Sequence, residues 1–370
     1  MEELRLATIN PPSSPSLRVL PLIVNDNGDP RLCLVQDFFL PLTQDKIPDL
    51  VETFRYWRDY VEYLALHGEN VETGEEVFCA VKCSKRGNDV YAKRLDLKLN
   101  FFNHLKNVKF FENIDFDKQP YAECNLLWVS LTWDSKLCSL HEAWENSYYE
   151  LHKFKANLEN KYGKVEWLMF PQPFPSSNGE AYGYPHYHGV LFFKESSFNA
   201  FPNLEKDKQG KTCLKYRVKE KREIEVQGKW QSFIDVQAMS SLKGAINYCK
   251  KYAQEVCYGD SDKAVLTSAV LWLYQKKGYS MTRTFQKALN DLIASMHPRK
   301  RFFQQNLDGS KAYSVWDWEF VGIRSFFDIR EVLDGNVSSS DWVLSFSRDE
   351  WSKLVERKRG LSWMEKWEIS

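Results

Sequence analysis

His186 and His188 stand one residue apart in Pro185-His186-Tyr187-His188-Gly189, directly before the apolar run Val190-Leu191-Phe192-Phe193. Side chains of an extended strand alternate between its faces, so the two imidazoles share one face and Tyr187 takes the other. Two convergent imidazoles can ligate a divalent metal. Further along, Asn247-Tyr248-Cys249-Lys250-Lys251-Tyr252 places two tyrosines at i, i+4 spacing, with Lys251 three residues after Tyr248. A phenol, with a pKa of about 10, is a poor nucleophile until a cation or base helps remove its proton. A metal-ligand pair facing such phenols suits attack on a phosphodiester, because a bound metal polarises the phosphate and offsets the charge that builds on its oxygens.

The elements that must position these groups lie between residues 124 and 256. Leu126-Leu127-Trp128-Val129-Ser130-Leu131-Thr132-Trp133 is apolar and β-branched and predicts a strand ended by Asp134-Ser135. Leu140 to Tyr162 predicts a long helix capped by Ser139, and Lys164 to Phe170 a second strand. A Pro/Ser/Gly-rich loop, 171–185, leads into the histidine strand at 186–193. Gln231 to Gln237 predicts another strand, and a helix from about Ser241 to Glu255 carries the tyrosines. The charged insert 203–230 reads as a β-ribbon or an arm near the substrate. The order strand, helix, strand, strand, insert, strand, helix fits a split βαβ arrangement, an α+β fold with a central antiparallel sheet.

Outside that unit, Ile47, Leu50, Val51, Phe54, Trp57, Tyr60, Val61 and Leu64 recur at helical spacing, and Lys93 to Phe102 predicts a further helix. The basic segment Lys82 to Asn88 reads as a solvated loop that could also touch phosphates. Residues 9–16 are breaker-rich, and Leu266 to Ile293 holds two candidate helices around Gly278. Arg299-Lys300-Arg301 is basic, and Trp351 to Trp367 is amphipathic. The expected organisation is an accessory region at 1–120, a catalytic domain at 121–258 and a mainly helical region at 259–370, with the N-terminal addition mainly helical too.

Lys+Arg and Asp+Glu balance at 50 each, so any nucleic-acid contact has to come from local basic patches. Aromatic residues make up 15% of the chain, enough for a large core with a minority left to stack exposed bases. The 8 cysteines show no paired CxxC spacing, which argues against a structural zinc site. Met1-Glu2-Glu3 does not open a signal peptide and no apolar run approaches membrane length, so the expectation is a cytoplasmic protein with no membrane partner. Gly210-Lys211-Thr212 resembles the end of a phosphate-binding loop, but Glu205 stands where that motif needs glycine. With no ATPase module readable, unwinding would fall to a host helicase or replication machinery.

An HxH pair also opens the metal sites of amidohydrolases and metallo-β-lactamases. The first need further His and Asp ligands, and only His297 lies downstream; the second need HxHxDH, and Gly189-Val190-Leu191 follows His188 here. Pro185-His186-Tyr187-His188 together with Tyr248-x-x-Lys251-Tyr252 resembles the HUH endonuclease superfamily, specifically the rolling-circle replication initiators of plasmids and viruses. Trp128-Val129-Ser130-Leu131-Thr132-Trp133-Asp134 is similar to that family's first motif. The likeness spans about 124–256, and the flanking segments look most like those of archaeal plasmid or viral initiators.

The resemblance implies a ferredoxin-like or RRM-like nuclease core with His186 and His188 as metal ligands. It implies Tyr248 as nucleophile, Tyr252 as a second one in the two-tyrosine branch, and Lys251 as a phosphate or metal-site group. The family adds a third ligand from the strand before the histidines, for which Gln172 is the first candidate and Glu180, in the loop, the second. It further implies Mn²⁺ or Mg²⁺, of which imidazole suits manganese better, and a single-stranded or hairpin DNA origin as substrate. The product would be a 5′-phosphotyrosine. A transposase or relaxase of the same superfamily is a neighbouring alternative, although relaxases usually carry three histidines. A non-catalytic single-strand binding module is the alternative from another class.

Overall fold

The structure, a computed structural model, describes residues 38–93, 109–111, 114–176, 179–206, 210–257, 261–284, 286–287 and 316–356. In chain order the elements are α1 (Ile47–Asp59), β1 (Glu62–Asn70), β2 (Glu76–Lys82), β3 (Ala122–Cys124), β4 (Leu126–Thr132), α2 (Leu140–Tyr162), β5 (Val165–Pro173), β6 (Pro185–Phe193), β7 (Phe198–Lys206) and β8 (Thr212–Val218). There follow α3 (Lys221–Gly228), β9 (Ile234–Ala238), α4 (Leu242–Cys257), α5 (Asp262–Leu273), β10 (Ser280–Met281), β11 (Trp316–Ser325), α6 (Phe326–Val332), β12 (Val343–Phe346) and α7 (Arg348–Glu356). The fold is α+β with antiparallel sheets. It divides into two units, one from 52–91 with the described part of 293–370, the other from 39–51 with the described part of 92–292.

The second unit holds the chemistry-bearing residues. Its five-stranded sheet runs β10-β5-β6-β4-β9, every neighbouring pair antiparallel. Because β4 and β5 are both antiparallel to β6, they are parallel to each other, joined by the crossover helix α2. Ser139 caps that helix through a capping box with Glu142, and Gly163 (φ 75°) ends it in a conformation that disfavours a side chain. Leu140, Ala143, Trp144, Ser147, Leu151, Phe154, Leu158 and Tyr162 are its buried residues, an unbroken i, i+3, i+4 stripe. Leu151, Phe154 and Leu158 pack with Leu127, Val129, Leu131, Tyr187, Leu191, Ile234 and Val236 in one core, so these define the sheet's closed face. The histidines alternate to the other face, over which α4 and α5 lie. The insert is a ribbon, β7 against β8, which with β3 makes a three-stranded sheet, followed by α3.

Three expectations need correction. Helical spacing continues past Asp59 in the sequence, yet β1 starts at Glu62 and is flanked by both β2 and β11, where Tyr63 and Ala65 are buried. Two-sided pairing overrides a periodicity that the strand mimics only by chance. The terminal additions also carry a sheet that the sequence did not suggest: β1, β2, β11 and β12 run in the order β11-β1-β2-β12, with Tyr63, Ala80, Ile329, Leu344 and Leu354 in its core. Nor does the unit that holds the histidines end at 258, because α5 and β10 belong to it, and Ser280 and Met281 pair with Met169 and Leu168.

Within 82–88, Lys85 is neither solvated nor placed to meet a phosphate. It is 1% exposed, pairs with Glu62 at 2.8 Å and donates to the carbonyls of Trp57 and Tyr60. Residues 9–16, most of 93–102, Arg299-Lys300-Arg301 and the end of the tryptophan-rich tail lie outside the described residues. No described helix is long and apolar enough to cross a membrane.

Candidate active site on the open face of the sheet

Strand register brings the predicted ligands together. Thr132, His186 and Gln172 are cross-strand partners on β4, β6 and β5, and Ser130, His188 and Phe170 form the next row on the same face. The two imidazole centroids are 4.2 Å apart, with the ring planes nearly perpendicular. Ser130 Oγ lies 2.9 Å from His188 Nδ1, and Thr132 Oγ1 3.0 Å from His186 Nδ1. When Nδ1–H donates to the hydroxyl, the lone pair sits on Nε2, the tautomer a metal requires. Gln172 is buried at 1% exposure beside His186, a position for an amide oxygen in the same ligand set.

Glu180 is not gathered in. Its carboxyl is exposed in the loop after β5, where its carbonyl accepts from Gln44 Nε2. Among the described residues no group of three His, Cys, Asp or Glu side chains assembles that could hold a metal. The set that fits is therefore two imidazoles and an amide. Burial and then the neighbouring charges of His186, Lys263 and Lys251 drive His188 down to about 2, so its ring is neutral at physiological pH, as ligation needs.

Helix α4 begins at Ser241, whose hydroxyl accepts from the Gly244 amide. Ala245, Cys249 and Ala253 recur every four residues and are fully buried, so small side chains let the helix approach its neighbours closely. The tyrosines flank that stripe. Tyr252 packs at a tilt against His188, ring centroids 4.2 Å apart, and against Trp128 at 5.0 Å. Tyr248, one turn earlier, leans on Trp128 at 5.1 Å and is 46% exposed. Lys251 Nζ and Lys263 Nζ each lie 5.8 Å from the Tyr252 ring centroid. Of the two phenols, Tyr252 is thus the one laid against the histidine ring, while Tyr248 is the more open to solvent.

All the predicted residues except Glu180 therefore meet on one face. Sequence reasoning missed Lys263 and, although it singled out the strand Trp128 to Asp134, gave Trp128 and the two hydroxyls no role of their own. Trp128, Ser130 and Thr132 carried a signal, since alternation along β4 sets them opposite Leu127, Val129 and Leu131. Lys263 carried none, because nothing local in α5 shows which way its first turn faces. The chain matches no protein-family model, no curated protein and no solved structure.

Proposed function

We propose that the chain is a metal-dependent, single-stranded DNA nicking and joining enzyme acting through a 5′-phosphotyrosine, in the manner of a rolling-circle replication initiator. The observation that carries this reading is the Tyr252 ring laid against His188, 4.2 Å between centroids, with the His186 ring also 4.2 Å from His188. The strand order β5-β6-β4-β9 with the α2 crossover supports a ferredoxin-like core. Mn²⁺ or Mg²⁺ held by His186, His188 and Gln172 would polarise the scissile phosphate and stabilise charge on its oxygens.

The remaining work falls to the chain. A tyrosine hydroxyl oxygen on α4 forms the bond to phosphorus, its proton leaves to solvent, and the bond from phosphorus to the 3′-oxygen breaks. That oxygen takes a proton and departs as a free 3′-OH able to prime synthesis. Lys251 and Lys263 would steady the phosphate and favour the phenolate. Ser130 and Thr132 orient the imidazoles. Attack of a 3′-OH on the phosphotyrosine reverses the bond changes and rejoins the strand.

The test is incubation with a panel of single-stranded and hairpin oligonucleotides, with Mn²⁺ or EDTA, followed by a denaturing gel. A metal-dependent covalent adduct is expected, absent from the Tyr248→Phe, Tyr252→Phe double variant, and the single variants assign the nucleophile. An adduct that survives in the double variant refutes tyrosine chemistry. DNA binding with no adduct under any condition would favour the non-catalytic module.

A further inference from the structure

The row that holds Thr132, His186 and Gln172 does not stop at β4. The Thr132 amide donates to the Phe233 carbonyl at 3.0 Å, so Phe233 is its neighbour at the start of β9. Ile234 and Val236 point into the closed core, and alternation therefore sets Phe233 on the open face with the histidines. Two strand spacings separate it from His186, roughly 10 Å. Its ring is 61% exposed.

A single exposed phenylalanine is ordinary on a protein surface. This one has a cation over it. Lys221 Nζ, at the start of α3, sits 5.8 Å from the ring centroid and also pairs with Asp235 at 3.5 Å and Glu225 at 3.6 Å, contacts a phosphate would compete with. The same pairing recurs two residues earlier in the chain, where Lys219 Nζ lies 5.1 Å from the centroid of the exposed Tyr121 ring. Alternating aromatic faces and ammonium groups are what a single-stranded nucleic acid needs, a π-face for each base and a cation for each phosphate.

We infer that Phe233 is a base-stacking platform for a nucleotide flanking the scissile one, with Lys221 contacting its phosphate. The bound strand leaves the histidine site across β9, and Tyr121 with Lys219 receives it further out. This rests on the proposed nicking reading for the substrate, single-stranded DNA, but it makes a claim about binding that catalysis does not decide.

The experiment measures anisotropy of a labelled oligothymidylate with the full chain in EDTA, so that cleavage plays no part. Phe233→Ala is expected to weaken binding roughly 5- to 100-fold, the range that loss of one stacked base gives, and Phe233→Trp to hold within about twofold. On an oligonucleotide abasic throughout, wild type and Phe233→Ala should bind alike, a result that a merely structural role would not produce. Lys221→Gln should weaken both probes and flatten the salt dependence. Equal oligothymidylate affinities for wild type and Phe233→Ala overturn the inference while leaving the nicking reading standing. Binding sensitive to Phe233, with no covalent adduct on any substrate, supports the platform and defeats the nicking reading. A chain with no affinity for single strands at all overturns both.

Discussion

Gly189→Ala tests whether β5 and β6 are apposed as tightly as the site requires. A Cβ built at Gly189 would lie 2.2 Å from the Leu168 carbonyl oxygen, 2.5 Å from Met169 Sδ and 2.8 Å from Met169 Cα. The thioether can swing aside, but the other two atoms are backbone. Ordinary carbon–oxygen contact is about 3.3–3.6 Å, so β5 has to recede by roughly 1 Å at this point. A ladder bond near 2.9 Å would then stretch beyond hydrogen-bonding range. Overpacking costs about 1–3 kcal/mol and each of two lost ladder bonds about 0.5–1.5, against a gain of about 0.4–1 from a stiffer unfolded chain. The net expectation is about 3 kcal/mol, a large part of a typical domain's stability. Urea unfolding followed by circular dichroism reads it, together with protease sensitivity of the segment 165–193. The same recession separates Gln172 from His186, so Mn²⁺ affinity should fall more than oligonucleotide affinity. A variant within about 0.5 kcal/mol of wild type would refute the steric argument.

Lys85→Met leaves Glu62 buried and unpaired, and should destabilise its unit by about 3–5 kcal/mol in urea melts, with Lys85→Met, Glu62→Leu recovering much of the loss. Arg217 donates to Glu205 at 2.5 and 2.6 Å and to Asp235 at 2.5 Å, and its hydrogen bond is the main cause that holds Glu205 at about 2, below the ordinary 4.5. A carboxylate depressed in the folded state stabilises above its unfolded pKa and loses that contribution as pH falls from 4.5 towards 2. Arg217→Met should therefore be the less stable protein at neutral pH, with the gap closing over that acid window. Gln172→Glu adds a charge to an uncharged ligand set and should tighten Mn²⁺, whereas Ser130→Ala, which frees the His188 ring to turn, should weaken it about 10- to 100-fold by calorimetric titration.

Much of this was legible because local signals and tertiary demands agree. Ser139 and Glu142 announce the start of α2, its apolar stripe announces the face, and both are realised. The HxH alternation and the i, i+4 tyrosines likewise needed only the period of their elements. What failed depended on partners distant in sequence. Glu62 to Asn70 pairs with nearby β2 on one side and on the other with β11, some 250 residues later, and no window of sequence contains that second pairing. Lys85 looked solvated because its neighbours are polar, although its partner Glu62, 23 residues earlier, lies beside it at the start of the neighbouring strand β1. Lys263 and Phe233 reach the site through a helix–helix packing and a strand register that are set globally.

The charge distribution of the open face ties these residues together. In the proposed ligand set His188 is a neutral imidazole and Gln172 an uncharged amide, and Lys251 and Lys263 bring two ammonium groups to the Tyr252 ring. Repulsion from those two ammonium groups would oppose a divalent metal placed there. A phosphodiester would bring negative charge to the metal and to the lysines at once. Metal and DNA would then each raise the affinity for the other by the same factor, as linkage requires. A site built in this way would hold its metal weakly until a strand lies across the sheet, confining activation of the phenol to the moment when a phosphate is in place to be attacked.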